Sequence, residues 1–145
     1  MLTIDTTRFG PLEVAEEAVL HFEEGLIGFP EMRQFAAVPH GDGAPFVWLQ
    51  SVERADLAFL LLRPHVVCPG YAPPLPPDVP FDATLWAIVT VPAGRANDLT
   101  VNLLGPVAVW GNAARQLVLD GDRYSARHRA FPAAERQQPA TAAAA

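Results

Sequence analysis

The sequence predicts an all-β, mainly antiparallel domain: a small β-barrel-like or sandwich domain with one or two short helices. Its 145 residues are half hydrophobic and 18% charged, which is the composition of a folded globular chain. Short apolar or alternating stretches recur at roughly 8–12 residue intervals, separated by Gly, Pro and Asn turn signals. Helical signals are few, so many short strands are expected to build a barrel or a sandwich.

Five strands are expected in the N-terminal half. The first two are separated by a turn at Gly10 and Pro11, and the strand at residues 46–51 follows the turn signals Gly41, Gly43 and Pro45. The run that begins at Ala58 is continuously apolar, as expected of a strand buried on both faces. In chain order, the expected strands are residues 2–8, 12–14, 18–22, 46–51 and 58–63.

Four more strands are expected in the C-terminal half, at residues 85–91, 99–104, 107–110 and 115–119. The first three end at Pro or Gly signals, because proline cannot donate to a strand ladder. The fourth leads into Asp120 and Gly121, a pair that favours a type I′ hairpin turn.

Two short helices are expected between these strands. Residues 29–35 would form one or two turns with Pro30 at the first helical position, where its missing N–H costs nothing. Residues 51–56 would form a second turn with Ser51 as the N-cap.

Six of the 15 prolines lie in residues 69–80, where neither a helix nor a central strand can continue. We expect an extended surface loop that connects two halves of one domain; the alternative is a docking ligand for an aromatic-lined groove. Because about 65 residues on either side would be marginally stable alone, residues 1–131 are expected to form a single domain. The Ala-rich residues 132–145 have no large apolar side chain and are expected to be a disordered tail.

The charge of the chain argues against direct nucleic-acid binding. The net charge is −6, and all ten basic residues are Arg, whereas phosphate binding needs clustered basic side chains. Residues 1–60 hold ten acids and three arginines, which suits a basic partner or serves only solubility. No apolar run approaches the roughly 20 residues of a membrane helix or resembles a signal peptide, so a cytoplasmic location without membrane attachment is expected.

Motifs that carry chemistry are few. The single Cys68 leaves no internal disulfide, and Cys68 with His65 supplies only two of the four ligands of a structural zinc site. The adjacent Glu23 and Glu24 are expected to form a solvated acidic patch rather than an acid with a raised pKa. We therefore expect no enzyme activity, no metal and no cofactor.

An ordered set of segments resembles the family of the flagellar assembly factor FliW. The segments span nearly the whole expected domain, and their order is more specific than any one of them. They are residues 7–10 (TRFG), 22–30 (FEEGLIGFP), 46–52 (FVWLQSV), 56–59 (DLAF), 88–92 (IVTVP), 100–106 (TVNLLGP) and 124–128 (YSARH).

The resemblance implies a non-enzymatic factor with a small antiparallel β-barrel-like fold. Proteins of this family bind flagellin in the cytoplasm and also bind CsrA, the carbon storage regulator that represses translation. When flagellin is exported, the freed factor sequesters CsrA and flagellin translation resumes. This sequence departs from the family pattern in the proline-rich residues 69–80 and in the tail after Phe131.

Eight residues of the matched segments, chosen because they are not obviously core residues, are candidates for partner binding. Asn102 is a polar residue in an apolar strand, so it either bonds internally or faces a partner, and an internal bond is favoured. Arg127 and His128 follow the expected hairpin, where exposure is expected. The candidates are Trp48, Gln50, Asn102, Leu104, Pro106, Tyr124, Arg127 and His128.

Two alternatives from other classes remain. The high apolar content and the aromatic strands also suit a β-barrel that binds a small apolar ligand in its interior. An enzyme that uses Cys68 or a carboxylate is the weakest hypothesis, because the sequence orders no catalytic group around either.

Overall fold

A computed structural model describes residues 1–39, 45–91, 98–121 and 123–130. Ten β-strands and two 3₁₀ turns, Glu16–Ala18 and Pro64–Val66, lie within these ranges. The strands are β1 (Leu2–Thr6), β2 (Gly10–Val14), β3 (Val19–Phe22), β4 (Gln34–Pro39), β5 (Phe46–Ser51), β6 (Ala58–Leu62), β7 (Thr84–Thr90), β8 (Thr100–Trp110), β9 (Ala113–Gln116) and β10 (His128–Arg129).

Seven strands, β3 to β9, close into a barrel. Neighbours in the chain pair antiparallel from β3 through β9, and β9 returns to β3 in a short parallel pairing, His21 with Ala113 and Phe22 with Ala114. β10 extends the sheet beside β8, and β1 and β2 form a separate antiparallel hairpin. The expected all-β, mainly antiparallel class is confirmed, and the architecture is the barrel rather than the sandwich.

Large apolar side chains fill the barrel interior. Phe22, Phe35, Leu49, Leu61 and Val107 are each at most 1% exposed and form one cluster. The rings of Phe22 and Phe35 meet edge to face, with their centroids 5.3 Å apart. Full burial of such a side chain contributes about 1.5–3 kcal/mol, so this cluster is a main source of the barrel's stability.

The outer face of the barrel carries further apolar layers. Leu62 and Val101 face outward and are covered by the segment that contains Tyr71 and by the chain near Tyr124. A third cluster joins Ala108 and Leu117 to Val79 of the proline-rich segment. β6 and β8 are therefore buried on both faces, which explains the continuous apolar run that begins at Ala58.

The proline-rich segment connects two parts of one domain, as expected, but it is a packed layer rather than a free surface loop. The hydroxyl of Tyr71 donates to the Leu103 carbonyl over 2.6 Å, and the Ala72 N–H donates to the hydroxyl of Tyr124. Asp78 forms an ion pair with Arg115 on β9. The segment is thus fixed to β8, to β9 and to the chain that precedes β10.

β8 is one strand of eleven residues, so the expected break at Gly105 and Pro106 is wrong. Trp86 pairs with Val107, whereas Ile88 pairs with Asn102. The four residues between Asn102 and Val107 therefore lie opposite the single residue Ala87, in a bulge larger than the usual one extra residue. Proline fits in a bulge because no ladder N–H is required there.

Neither expected helix forms where the sequence predicts it; the short helices of the described chain are the two 3₁₀ turns at Glu16–Ala18 and Pro64–Val66. The sequence predicts no strand for β4, yet β4 begins at Gln34 within the first predicted helix, and turns occupy the residues before it. Phe35 and Ala36 are needed as buried ladder residues of the barrel, so tertiary packing overrides the local Pro30 signal. At Ser51, the side chain does accept from the N–H groups of Glu53 and Arg54, but it caps a turn and no helix follows.

The hairpin expected at Asp120 and Gly121 is also wrong, because the next described strand, β10, pairs with β8 instead of β9. The tight hairpin lies at Gly111 and Asn112, between β8 and β9. The Gly111 φ of +60° explains a glycine at that turn. The predicted tail, residues 132–145, lies outside the described residues, and within the described ranges no helix has the length and apolarity to cross a membrane.

Candidate partner-binding site

The eight candidate residues fall in three places on the barrel. Trp48 and Gln50 lie on the outer face of β5, beneath the β1–β2 hairpin. Three lie in or beside the bulge of β8, and three lie at the start of β10 or in the segment just before it. These last two groups are Asn102, Leu104 and Pro106, and Tyr124, Arg127 and His128.

Trp48 is half-buried beneath the tip of the β1–β2 hairpin. The Arg8 guanidinium carbon lies 4.0 Å from the centroid of its ring, and the Phe9 ring meets it edge-on at 6.2 Å. The Thr7 N–H donates to the Ala55 carbonyl and fixes the hairpin tip to the barrel. A partner that approaches Trp48 would therefore also meet the Arg8 cation.

Gln50 is fully buried, so no partner can touch its side chain in this structure. Its Nε2, which has two N–H groups to donate, lies within hydrogen-bond distance of the carbonyl oxygens of Ser51, Ala55 and Leu57, at 3.0, 3.2 and 3.1 Å. Its Oε1 has no hydrogen-bond partner among the described residues. The amide thereby fixes the turn between β5 and β6. Ala55 in that turn accepts the hydrogen bond that fixes the β1–β2 hairpin.

Asn102 bonds internally, as the favoured interpretation expected. Its Oδ1 accepts hydrogen bonds from the N–H groups of Leu104 and Gly105, both at 3.0 Å. Pro106 is fully buried and Leu104 is half-buried. Of the three bulge candidates, Leu104 is therefore the one whose side chain reaches the surface as an apolar contact.

Sequence reasoning missed Gln116, the last residue of β9. Its Oε1 accepts from the Ile27 N–H over 2.8 Å, and its Nε2 donates to the Gly105 carbonyl over 3.0 Å. A Cβ on Gly105 would lie 3.0 Å from Asn102 Nδ2 and 3.1 Å from Gln116 Nε2. The two amides thus enclose Gly105, and no local pattern shows this contact because the paired residues are far apart in the chain.

The three candidates at and just before the start of β10 differ in exposure. Tyr124 packs its ring against Tyr71, with centroids 4.6 Å apart, and its hydroxyl accepts from the Ala72 N–H. His128 Nε2 lies 3.0 Å from the Val67 carbonyl, so this nitrogen must carry the proton that it donates. Arg127 is exposed, and it is the member of this group whose side chain is most available to a partner.

Burial raises the pKa of Tyr71 well above its ordinary value, with smaller contributions from Tyr124 and Cys68. The protonated phenol is the form that donates to the Leu103 carbonyl, at the edge of the bulge. Cys68 is half-buried and packs against the same apolar cluster as these tyrosines. Among the described residues, no group of three or more His, Cys, Asp or Glu side chains is placed to hold a metal ion.

Two surface cavities lie where the barrel closes between β3 and β9. The larger, of about 700 Å³, includes Glu23, Glu24 and Trp110 in its lining. The other, of about 460 Å³, lies between the proline-rich segment and the chain after β9. Glu24, Arg115 and Gln116 line both cavities, so these residues form the ridge between them.

Several large apolar side chains are strongly exposed in the described structure. Ile27 is 61% exposed beside Gln116, and Val118 is 73% exposed two residues after it. Phe81, at 94%, precedes β7, whose first residue pairs with β8 near the turn at Gly111. Ile27 and Val118 therefore lie at the Gln116 end of β9, whereas Phe81 lies in the segment that leads into β7.

Comparisons with known proteins agree with this fold along nearly the whole described chain. The family model "FliW protein" matches residues 3–130. A flagellar assembly factor FliW of Moorella thermoacetica is 35% identical over 140 residues, covering 90% of this chain and 89% of that relative. One from Desulfitobacterium hafniense is 38% identical over 146 residues, covering 94% and 95%. A crystal structure of the flagellar assembly factor FliW superposes with a TM-score of 0.79 at 30% identity, covering 90% of this chain and 98% of that one. The chain belongs to the FliW family.

Proposed function

We propose that this chain is a cytoplasmic flagellar assembly factor that binds flagellin and CsrA in alternation. While flagellin is abundant, it occupies the factor; after flagellin is exported, the factor sequesters CsrA and relieves repression of flagellin translation. The observation that carries the proposal is the family match over residues 3–130, together with relatives covered over most of their length. The mechanism is binding alone and requires no catalytic step.

The charge of the described surface supports a basic partner. Many carboxylates of the N-terminal half are exposed, and the net charge of the whole chain is −6. A regulator that binds RNA carries basic surface, and complementary charge mainly accelerates association and selects the partner. Exposed carboxylates near the barrel closure are Glu16, Glu17, Glu23, Glu24 and Glu31.

Exposed apolar side chains on a rigid barrel support protein binding as well. Ile27 and Val118 protrude from backbone that is fixed by hydrogen bonds on both sides. A partner segment that buries such side chains needs little reordering of the barrel, so more of the contact energy appears as affinity.

The packed interior gives no support to the small-ligand alternative. An apolar ligand inside the barrel would have to displace Phe22, Phe35 or Leu61, each at most 1% exposed. The cavities at the β3–β9 closure are open to the surface, and charged side chains line them.

Calorimetric titration of the purified chain tests the proposal directly. Flagellin and CsrA from the same cell are titrated separately at physiological salt, and saturable binding is expected for each. A titration without heat is repeated by a second method, such as analytical ultracentrifugation, because zero enthalpy is not zero affinity. Absence of binding to both partners by both methods would overturn the proposal.

A further inference from the structure

We propose that the Gln116 end of the barrel is one docking surface for a cationic amphipathic segment of a partner. This surface has two halves, and the Gln116 amide keeps them in register, that is, at fixed positions relative to each other. The surface consists of Ile27, Leu104 and Val118, with Glu24 at its rim, and we call it the clasp surface. This inference rests on the proposed protein-binding function and adds the place and the chemistry of recognition.

The first half is the tight turn that presents Ile27. Leu26 and Phe29 exchange backbone hydrogen bonds, and Phe29 packs its ring against Phe59. Gly25 has a φ of +67°, and a Cβ there would lie 2.5 Å from the Pro30 carbonyl oxygen. Leu26 is buried at 2%, while Ile27 between these anchors is 61% exposed. The turn therefore presents the exposed Ile27 side chain on a rigid backbone.

The second half is the bulge of β8 with the extended chain beside it. The N–H groups of Leu117 and Leu119 donate to the carbonyls of Pro106 and Leu104. Leu117 and Leu119 both pack into the cluster beneath the proline-rich segment. Because side chains of extended chain alternate in direction, Val118 points away from that cluster and is 73% exposed.

Gln116 joins the two halves through both ends of one amide. Its oxygen accepts from Ile27 and its nitrogen donates to Gly105, while Asn102 holds the other side of Gly105. Single exposed apolar residues are ordinary, but here they flank one bridging side chain and their backbones are fixed. Such a surface loses little conformational entropy when a partner covers it.

The charge around the clasp surface defines the partner. Residues 23–31 contain three glutamates and no basic residue, and neither Glu23 nor Glu24 forms an ion pair with a described residue. Arg115, on the same ridge, is paired with Asp78, and the Arg123 guanidinium lies over the Tyr124 ring. A segment with apolar side chains on one face and Lys or Arg beside them complements this arrangement.

The surface is tested by measuring the affinity of flagellin and of CsrA for the intact chain and its variants. Ile27→Ser and Val118→Ser are each expected to weaken at least one partner by more than about tenfold, with little change in Tm because both side chains are already exposed. Glu24→Gln should weaken the same partner and reduce the salt dependence of its affinity. The matched control is Phe81→Ser, which removes an even more exposed side chain elsewhere and should leave both affinities unchanged.

The registering role of Gln116 needs its own readout. Gln116→Leu keeps a similar volume and removes both hydrogen bonds, so amide exchange at Ile27 should accelerate and affinity should fall. Gln116→Glu keeps the acceptor for Ile27 and should recover slow exchange at that amide. A double-mutant cycle between Ile27→Ser and Leu104→Ser should show coupling in the parent chain that disappears in the Gln116→Leu background.

The outcomes separate this inference from the proposed function. If the parent chain binds a partner and Ile27→Ser and Val118→Ser bind it equally well, the clasp surface is wrong and the function stands. If Phe81→Ser weakens binding as much as they do, the location is wrong. If Gln116→Leu speeds exchange at Ile27 without altering affinity or coupling, the registering role is wrong. If the parent chain binds neither partner, both the function and the inference are overturned.

Discussion

Three amide side chains of this barrel, one buried and two half-buried, bond to backbone groups that the strand ladder leaves free. Asn102 accepts from two N–H groups of the bulge, and Gln116 joins the bulge to the turn at Ile27. The Gln50 amide likewise donates to backbone carbonyls at the turn between β5 and β6. A polar residue in an apolar strand can therefore be essential to the architecture without touching a partner.

Asn102→Ala is expected to destabilise the fold. The substitution leaves the N–H groups of Leu104 and Gly105 without their acceptor, at a cost of about 1–3 kcal/mol for an unsatisfied buried donor. Chemical denaturation measures the free energy of unfolding. Asn102→Asp, which keeps an acceptor oxygen, is the control and should lose less; equal stability of Asn102→Ala and the parent chain would contradict this role.

Arg127→Ala, in contrast, should leave the stability of the fold nearly unchanged and weaken partner binding. The side chain is exposed and no described hydrogen bond uses its guanidinium, so the Tm should change little. If Arg127 contacts a partner, as the matched segment implies, calorimetry should show affinity reduced by more than about tenfold. A normal Kd in the variant would remove Arg127 from the partner-binding set.

At the scale of elements, strands are predicted well where the signal, either polar–apolar alternation or a continuous apolar run, lies within the strand itself. β5 begins and ends as expected, and β6 and β7 are shifted by at most one residue at either end. The predictions fail where distant contacts decide the structure: β4 forms because Phe35 fills the barrel, and β8 continues because amides support its bulge. The candidate site shows the same limit, since Gln116 meets Ile27 across 89 positions of sequence.

The proline-rich segment belongs to the fold through Tyr71, and this contact has a pH signature. Burial raises the pKa of Tyr71 in the folded state above its pKa in the unfolded chain. The stability that this contact contributes is therefore complete below the unfolded-state pKa of about 10 and is lost as the pH rises toward the folded-state pKa. Unfolding measured from pH 8 upward should therefore show alkaline destabilisation. Tyr71→Phe should lack this loss of stability. In a spectroscopic titration, the variant should also lack the phenol that ionises at the highest pH. An unchanged alkaline profile in the variant would contradict the assignment.

On the scale of the whole molecule, a barrel filled by its own side chains leaves recognition to its outer surface. The interior is packed, the proline-rich segment and the β1–β2 hairpin cover parts of the outer face, and the N-terminal half is acidic. The surface that remains at the β3–β9 closure combines carboxylates with exposed apolar side chains. This combination suits a factor that selects protein partners by charge and holds them by apolar contact.

Ionic strength should act mainly on the rate at which a basic partner associates. Added salt screens the exposed carboxylates, so the association rate for CsrA should fall as salt rises while the dissociation rate changes less. Stopped-flow mixing at several salt concentrations measures both rates. An association rate independent of salt would contradict electrostatic steering by the acidic half.

A displacement titration tests most directly the proposed exchange of two protein partners on this chain. The complex of this chain with CsrA is formed first, flagellin is added in steps, and the species are separated by size-exclusion chromatography with light scattering. Flagellin is expected to release CsrA in proportion to the amount added, with a chain–flagellin complex in its place. Persistence of the CsrA complex, or a stable assembly that contains all three proteins, would contradict it.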